Sequence, residues 1–466
     1  MSMEEFLNTV TEQIRWKGAR GPVSEELKAH ILDQAQSYER EADCPGTGEG
    51  LTESGALERA VREMGDPVAI GVEMDRIHRP KISWEILVLV GVLSIAGLIL
   101  HGVLRSYSPE EYHLKRQAAF VVIGYLLMLG VCLLDYNFLG RHSRKIAAGF
   151  LLFLIGGTFF PGSYGRDTYR TFDILHIKLN VTVLIYLFVP IFGALLYSYR
   201  GQGYKAVGKL ALWAAVPMLF LYRLPALYTA VTLGLALALL FTVAAAKDWY
   251  RINKKLVLGG LWTVILAVPI AVISLVLIRG TDQSLLREYQ ADRLLAYIRG
   301  GEGSYLVENV EKVLDGCLFM GRDSGNLERA VNLPGHNSDY VLVSLMSAYG
   351  IVAGVIVVLL LLWMTGKVFC ISMGQKNQLG MIIGSGCGIV FLIQTLFCVL
   401  VNLNLCPPAQ TLLPFLCYGG NTTIVSYLLL GLCLSICRYQ NMPLGRQKST
   451  LRWEIRITRV PNLKEN

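Results

Sequence analysis

Charge is scarce in this chain. Asp, Glu, Lys and Arg make up only 17% of its 466 residues while 53% are hydrophobic, which excludes an ordinary water-soluble globule. Paired cysteines are lacking as well: the ten cysteines are scattered with no C-x-x-C spacing, so neither a disulfide framework nor a zinc module is expected. They read as small apolar packing residues. No cluster of His, Asp and Glu has metal-ligand spacing, and no cofactor or dedicated metal site is identifiable. The opening stretch MSMEEFLNTVTEQIRWKG is polar and amphipathic rather than a basic-then-apolar signal, so the first apolar run is expected to direct its own insertion. The net charge of +8 is unevenly placed: residues 1–80 carry 16 acids and 9 bases, leaving 34 bases and 19 acids for the remainder. That excess reads as the positive cytoplasmic loops of a membrane protein, not as a nucleic-acid surface.

What is present is a succession of apolar runs between Trp84 and Ile436, each near the length that crosses a hydrocarbon core of about 30 Å. Spans are expected at 84–104, 117–135, 146–161, 174–197, 207–222, 225–246, 256–278, 339–364, 379–401 and 421–437. The fold class is therefore all-α, a polytopic membrane protein with about ten transmembrane helices. Loops after the even-numbered spans hold Arg141, Arg144 and Lys145, then Arg200, Lys205 and Lys209, then Lys247, Arg251, Lys254 and Lys255, then Lys367 and Lys376. This pattern predicts a multi-pass protein with both termini cytoplasmic. It also sets the basic tail, residues 441–466 with Arg446, Lys448, Arg452, Arg456 and Arg459, near anionic lipid.

Two segments lie outside the spans. Residues 1–80 read as a small helical cytoplasmic module: Leu27, Ile31, Leu32 and Ala35 recur at helical spacing behind Ser24 as an N-terminal cap. Ala56, Leu57, Ala60, Val61 and Met64 form the apolar face of a second helix, and Gly65-Asp66-Pro67 separates it from a third ending at Arg79. The membrane domain is assigned to 81–440, and within it residues 279–338 form one large outer loop, long enough to be functional rather than idle. Its amphipathic patterns SLLREYQADRLLAYIRG and SYLVENVEKVL predict helices lying along the outer membrane surface. The loop ends in LPGHNSDYVLVSL, where the eighth span begins.

Before the last span comes CPPAQTLLPFLCYGGNTTIVSY, residues 406–427, with three prolines, a Gly-Gly pair and no charge. An apolar stretch full of helix breakers is expected to be re-entrant or broken, because unpaired backbone at membrane depth must be buried in protein or line a cavity. It is expected to form a wall of an outer cavity facing Asp339. This stretch resembles the motif P-x-T-G-x-x-L-P-F-x-S-Y-G-G-S-S of the SEDS family, the FtsW/RodA/SpoVE-type proteins of bacterial cell-wall synthesis. The matching residues are Leu413-Pro414-Phe415 and Tyr418-Gly419-Gly420, with LLGLCLSICR following. His336-Asn337-Ser338-Asp339-Tyr340 is similar to the family's A-H-T-D-F, and Pro225-Ala226-Leu227-Tyr228-Thr229-Ala230 to its P-D-L-G-T-A. Residues 1–80, with ALERAVREMGDP, resemble instead a permease prefix domain. The chain departs from the family where Q-P-S-E-x-x-K would open the fourth span: it has ILHIKLNVTV, with Lys178 near the place of the missing acid. Ala226 and Tyr228 replace the family's Asp and Gly, and Met346-Ser347-Ala348-Tyr349-Gly350 stands where G-E-E-L-G is usual.

The resemblance implies a peptidoglycan glycosyltransferase of the bacterial cytoplasmic membrane. Such an enzyme polymerises lipid II, the undecaprenyl-pyrophosphate-linked precursor, with a class B penicillin-binding protein and divisome or elongasome proteins as partners. That reaction needs a base for the acceptor hydroxyl and positive charge for the departing pyrophosphate. Asp339 is the candidate base. Candidates for substrate binding are His336, Ser338, Lys178, Arg166 and Arg170, together with Pro414, Tyr418, Gly419 and Gly420, and Arg322 and Arg329 are further outer cations. His336 either assists Asp339 or turns the chain after Leu333-Pro334-Gly335. A divalent cation shared with the substrate pyrophosphate fits the chemistry without a dedicated protein site. The rival expectation is a non-catalytic scaffold, or a lipid-linked-precursor binding or transport protein, of the same fold.

Overall fold

The computed structural model describes residues 1–42, 52–80, 82–109, 113–157, 171–174, 177–224, 226–279, 288–299 and 305–440. The chain divides into two compact units, one containing Met1–Pro80 and the other Lys81–Gln440. In the first, helices α1 (Met3–Gln13), α2 (Lys17–Ala42), α3 (Glu53–Glu63) and α4 (Pro67–His78) surround a core of Phe6, Leu7, Val10, Ile14, Val23, Leu27 and Ile31. Ser2 and Glu5 form a reciprocal capping box that starts α1, and Asp66 accepts from the Val68 and Ala69 amides to start α4 behind Pro67. Helix α2 begins well before Ser24, which lies inside it. The reason is that the buried four-residue repeat Ala19, Val23, Leu27, Ile31, Ala35 starts upstream of that serine. Leu32, expected on this face, is exposed.

The second unit is built from α5 (Trp84–Arg105), α6 (Leu114–Leu133), α7 (Asn137–Arg141), α8 (Ser143–Gly157), the hairpin β1 (Thr171–Ile174) and β2 (Ile177–Asn180), and then α9 (Val181–Leu184). A 3-10 turn, Ile185–Leu187, joins α9 to α10 (Phe188–Ser198), and α11 (Tyr204–Arg223), α12 (Leu227–Ala246) and α13 (Lys254–Arg279) follow. Beyond them lie α14 (Glu288–Arg299), α15 (Tyr305–Asp315), α16 (Ser324–Val331), α17 (Val341–Tyr349), α18 (Ile351–Met373), α19 (Gln378–Asn402) and α20 (Gly420–Arg438). Among the described residues nine helices are long and apolar enough to cross a membrane: α5, α6, the continuous Val181–Ser198 segment, α11, α12, α13, α18, α19 and α20. The third expected span corresponds to α8, shorter at 15 residues, and its expected end at 158–161 lies outside the described residues. The chain is an all-α, multi-pass membrane protein.

Helix α19 forms the centre, packed on α18, α10, α12 and α20, and its glycines explain how. A side chain at Gly384 would overlap Ser372 of α18, so the two backbones approach closely, as small residues allow in helix pairs without a hydrophobic driving force. Helix α20 sits equally close to α6, where a Cβ at Gly431 would lie 2.9 Å from the Met128 carbonyl. Helix α13 is the opposite case, with almost all of its surface turned outward.

Two elements differ from the sequence reading. Residues 177–180 do not begin a span: Ile177-Lys178-Leu179-Asn180 alternates apolar and polar and pairs antiparallel with Thr171–Ile174. Asn180 then caps the next helix by accepting from the Thr182 amide at 3.0 Å. The eighth span is not continuous from 339, because Gly350, with φ at 96°, separates α17 from α18. The freed backbone groups are taken up by the α15–α16 connection: Ile351 N–H donates to the Leu318 carbonyl at 3.0 Å and Gly321 N–H to the Tyr349 carbonyl at 3.2 Å. Helix α15 accordingly buries Val310 and packs on α16 and α17, so its apolar face is covered by protein rather than by a membrane surface.

Candidate active site

Asp339 lies in the turns between α16 and α17, which are held from below by His336. Its imidazole Nδ1 lies 3.0 Å from the Leu333 carbonyl, and the His336 carbonyl accepts from Ser344 Oγ at 2.8 Å. The histidine is buried, and it turns the chain instead of lining the cavity above it. Gly335 takes φ at 75° in the same turn, and a Cβ there would stand 3.1 Å from Asp339 Oδ2. Thr411 N–H donates to Asp339 Oδ1 at 3.1 Å.

The segment from Cys406 to Gly419 forms no helix, yet Thr411, Leu413, Leu416 and Cys417 are buried among the helices. Gly97 of α5 makes room for it, since a Cβ there would lie 2.9 Å from the Phe415 carbonyl. His101 Nε2 meets the Leu416 carbonyl at 2.9 Å, and Tyr418 N–H donates to the Asn337 carbonyl at 2.9 Å. The helix-breaking residues therefore produce the buried broken segment that the sequence suggests, with its backbone groups bonded to protein. Phe415 holds φ at 66°, an unusual conformation for an aromatic residue, with its ring 5.3 Å from that of Tyr427.

Between these two segments opens a cavity of about 210 Å³. Asn337, Ser338 and Asp339 form one wall, Gln410 and Leu412 a second, and Tyr418 through Thr422 a third. Asn180, Thr182 and Tyr186 close it from the span that begins at 181, with Thr229 of α12 beside them. Among the described residues Asp339 is the one charged side chain in this lining; the other polar groups are amides and hydroxyls. The amino end of α20, which no side chain caps, opens onto the same space at Gly420, Asn421 and Thr422. Such an end presents N–H donors to an anion.

Of the site residues read from sequence, Ser338, Asp339, Tyr418, Gly419 and Gly420 come together here. Pro414 does not line the cavity and belongs to the buried wall behind it. Lys178 is exposed on β2 rather than within a span, and its carbonyl accepts from Asn421 Nδ2 at 2.9 Å, which ties the hairpin to the cavity lip. Arg166 and Arg170 lie outside the described residues. Arg322 is exposed, and Arg329 lines a separate groove with Lys312 and Tyr305. Among the described residues no group of three or more His, Cys, Asp or Glu side chains is placed to hold a metal ion.

Sequence reasoning missed Gln117 and His113 at the start of α6. Gln117 is buried; its Oε1 accepts from Gly419 N–H at 3.1 Å and its Nε2 donates to Thr423 Oγ1 at 3.2 Å. The His113 amide donates to the Tyr418 hydroxyl at 2.9 Å. Gln117 directly follows Lys115 and Arg116 at the edge of the apolar run, so the sequence presents it as an interfacial residue and carries no signal of its buried role.

Known proteins share this architecture. A family model of the FtsW/RodA/SpoVE cell cycle proteins matches residues 78–442. The chain is 24% identical to a probable peptidoglycan glycosyltransferase FtsW of Thioalkalivibrio sulfidiphilus, over 82% of this chain and 94% of that protein. It is 25% identical to one of Enterococcus hirae, over 80% and 96%. The rod-shape-determining protein RodA of Thermus thermophilus superposes with a TM-score of 0.54 at 18% identity, covering 77% of this chain and 97% of that one. A chain from a structure described as the coordination of polymerization and crosslinking by a peptidoglycan synthase complex superposes with a TM-score of 0.62 at 20% identity, covering 77% and 99%. With the matched region spanning both cavity-forming segments, the chain belongs to the FtsW/RodA/SpoVE family of cell cycle proteins, the SEDS family.

Proposed function

We propose that this protein is a peptidoglycan glycosyltransferase that polymerises lipid II at the outer face of the bacterial cytoplasmic membrane, in division, elongation or sporulation. The observation that carries the reading is the convergence of Asp339 with Tyr418–Thr422 on one cavity. In this mechanism the Asp339 carboxylate takes the proton of the acceptor sugar hydroxyl as that oxygen bonds to the donor's anomeric carbon. The bond from that carbon to the pyrophosphate breaks, and the lipid pyrophosphate leaves. Thr411 N–H holds the carboxylate in place. The leaving anion meets the backbone donors at the start of α20, and Lys178 at the lip supplies positive charge. A divalent cation, where one takes part, would come with the substrate's pyrophosphate and would share its charge.

Asn337 and Ser338 of the cavity wall end the 279–338 segment and Asp339 directly follows it. The loop-charge pattern supports an exterior side for that segment, with both termini cytoplasmic. Residues 1–80 then form a cytoplasmic prefix domain and 441–466 a basic tail. The partner in this reading is a class B penicillin-binding protein, supported by the likeness to a chain from a peptidoglycan synthase complex. Extension of labelled lipid II by the purified chain with that partner tests the assignment, and loss of product in Asp339→Ala tests the base.

One observation favours the rival scaffold or precursor-binding role: among the described residues no cationic side chain lines the cavity. Binding of lipid II without polymer, under conditions where the partner is active, would decide for it.

A further inference from the structure

We propose that Asn402 and Thr411 are positioning residues that set the Asp339 carboxylate in its reactive place; this rests on the reading of Asp339 as the base. Asp339 sits in turns, outside any helix, where the Ser338 and Tyr340 amides both donate to the Gly335 carbonyl at 3.0 Å. Two buried side chains from elsewhere tie it to the rest of the fold. The Asp339 carbonyl accepts from Asn402 Nδ2 and from Thr411 Oγ1, each at 2.8 Å, while Thr411 N–H donates to the carboxylate itself at 3.1 Å. Asn402 Oδ1 accepts from Val343 N–H at 3.0 Å in the first turn of α17, a helix with no side-chain cap of its own. A single amide at the last residue of α19 thus ties down both the reactive residue and the helix that follows it.

The orientation of that amide is dictated by its neighbours. Val343 offers a hydrogen and must face the oxygen; the Asp339 and Cys398 carbonyls, both at 2.8 Å, must face the nitrogen. Asn402 is 0% exposed and Thr411 1%, and neither lines the cavity, so both act through Asp339 and not on substrate. In the motif P-x-T-G-x-x-L-P-F, Thr411 falls on an unspecified position and Asn402 lies outside it, so the family pattern identifies neither residue.

The test compares full-length wild type, Asn402→Asp, Thr411→Val and Thr411→Ser with the class B partner on labelled lipid II. Amide exchange over 336–345 is measured in parallel. Asn402→Asp keeps the acceptor for Val343 but turns oxygen toward two carbonyls. A displacement of the base by about 1 Å costs on the order of 100-fold in rate. The expected result is a kcat loss of about that size with KM for lipid II within about twofold, a smaller loss in Thr411→Val, and recovery of most of it in Thr411→Ser. Faster exchange at 339–343 accompanies the loss in Asn402→Asp, with α19 itself unchanged. Wild-type turnover in Asn402→Asp, a loss confined to KM, or equal defects in Thr411→Ser and Thr411→Val overturns the proposal. Should Asn402→Asp fail to fold, the Thr411 pair decides. Should wild type make no polymer, the reaction assigned to Asp339 fails, and unchanged exchange in Asn402→Asp would then refute the clamp separately.

Discussion

Replacing Gly335 by alanine perturbs the carboxylate from the opposite side. The residue holds φ at 75°, where an L side chain costs roughly 1–2 kcal/mol, a five- to thirty-fold change in the folding equilibrium. Its new Cβ would also stand 3.1 Å from Asp339 Oδ2 and 3.4 Å from Asp339 Cβ, so the aspartate must yield by a few tenths of an ångström. Scaling from about 100-fold per ångström, a shift of ~0.3–0.5 Å lowers the rate about 4- to 10-fold. The control is Gly201→Ala, with φ at 80° and nothing within 4 Å of the new Cβ, which carries the backbone penalty alone. Thermal unfolding in detergent should show similar losses for the two variants, while lipid II polymerisation falls only in Gly335→Ala. Equal polymerisation in both would refute the reasoning that the Gly335 turn restrains a reactive Asp339.

Other outcomes follow from the same geometry. Gln117→Leu leaves the Gly419 amide and the Thr423 hydroxyl without their partner, costing about 1–3 kcal/mol, and should lower the melting temperature and open the 418–423 turn to amide exchange. Gly350→Ala places a Cβ 2.7 Å from Met320 Cα at a positive φ and should sharply reduce folded yield; Gly366→Ala in α18 meets nothing within 4 Å and should be neutral or stabilising. In the amino-terminal unit, hydrogen bonds from Tyr38 and then Arg59 hold the Glu63 carboxyl below its ordinary value of 4.5. A folded pKa below the unfolded one gives stability that is present above about pH 4.5 and lost as pH falls through the folded value. Amide exchange in α3 of the full-length protein should accelerate over that acid window, and Glu63→Gln should remove the dependence.

Much of this architecture was legible because apolar run length and loop charge have direct physical causes. The prolines and glycines of 406–420 announced a broken segment in the same way. The break at Gly350 was not legible: a glycine inside an apolar run is ordinary in a span, and the bonds that permit the break come from residues 318–321, distant in sequence. The pairing of strands 171–174 and 177–180 was missed because ILHIKLN is short and apolar enough to read as the start of the following helix, although the alternation of IKLN is that of a strand. In the site, Asp339 and Tyr418–Gly420 stood out through their motifs. Gln117 and Asn402 did not, since a polar residue near the end of a span usually marks the interface, nor did Thr411, at an unspecified position of the motif; only the folded chain shows what each one holds.

The most direct measurement is extension of labelled lipid II by the full-length protein reconstituted with its class B penicillin-binding partner, beside Asp339→Asn, with lipid II binding measured on both. The account predicts glycan polymer from wild type, none from Asp339→Asn, and equal binding by the two. Polymer from Asp339→Asn, or binding without polymer by wild type, would contradict it.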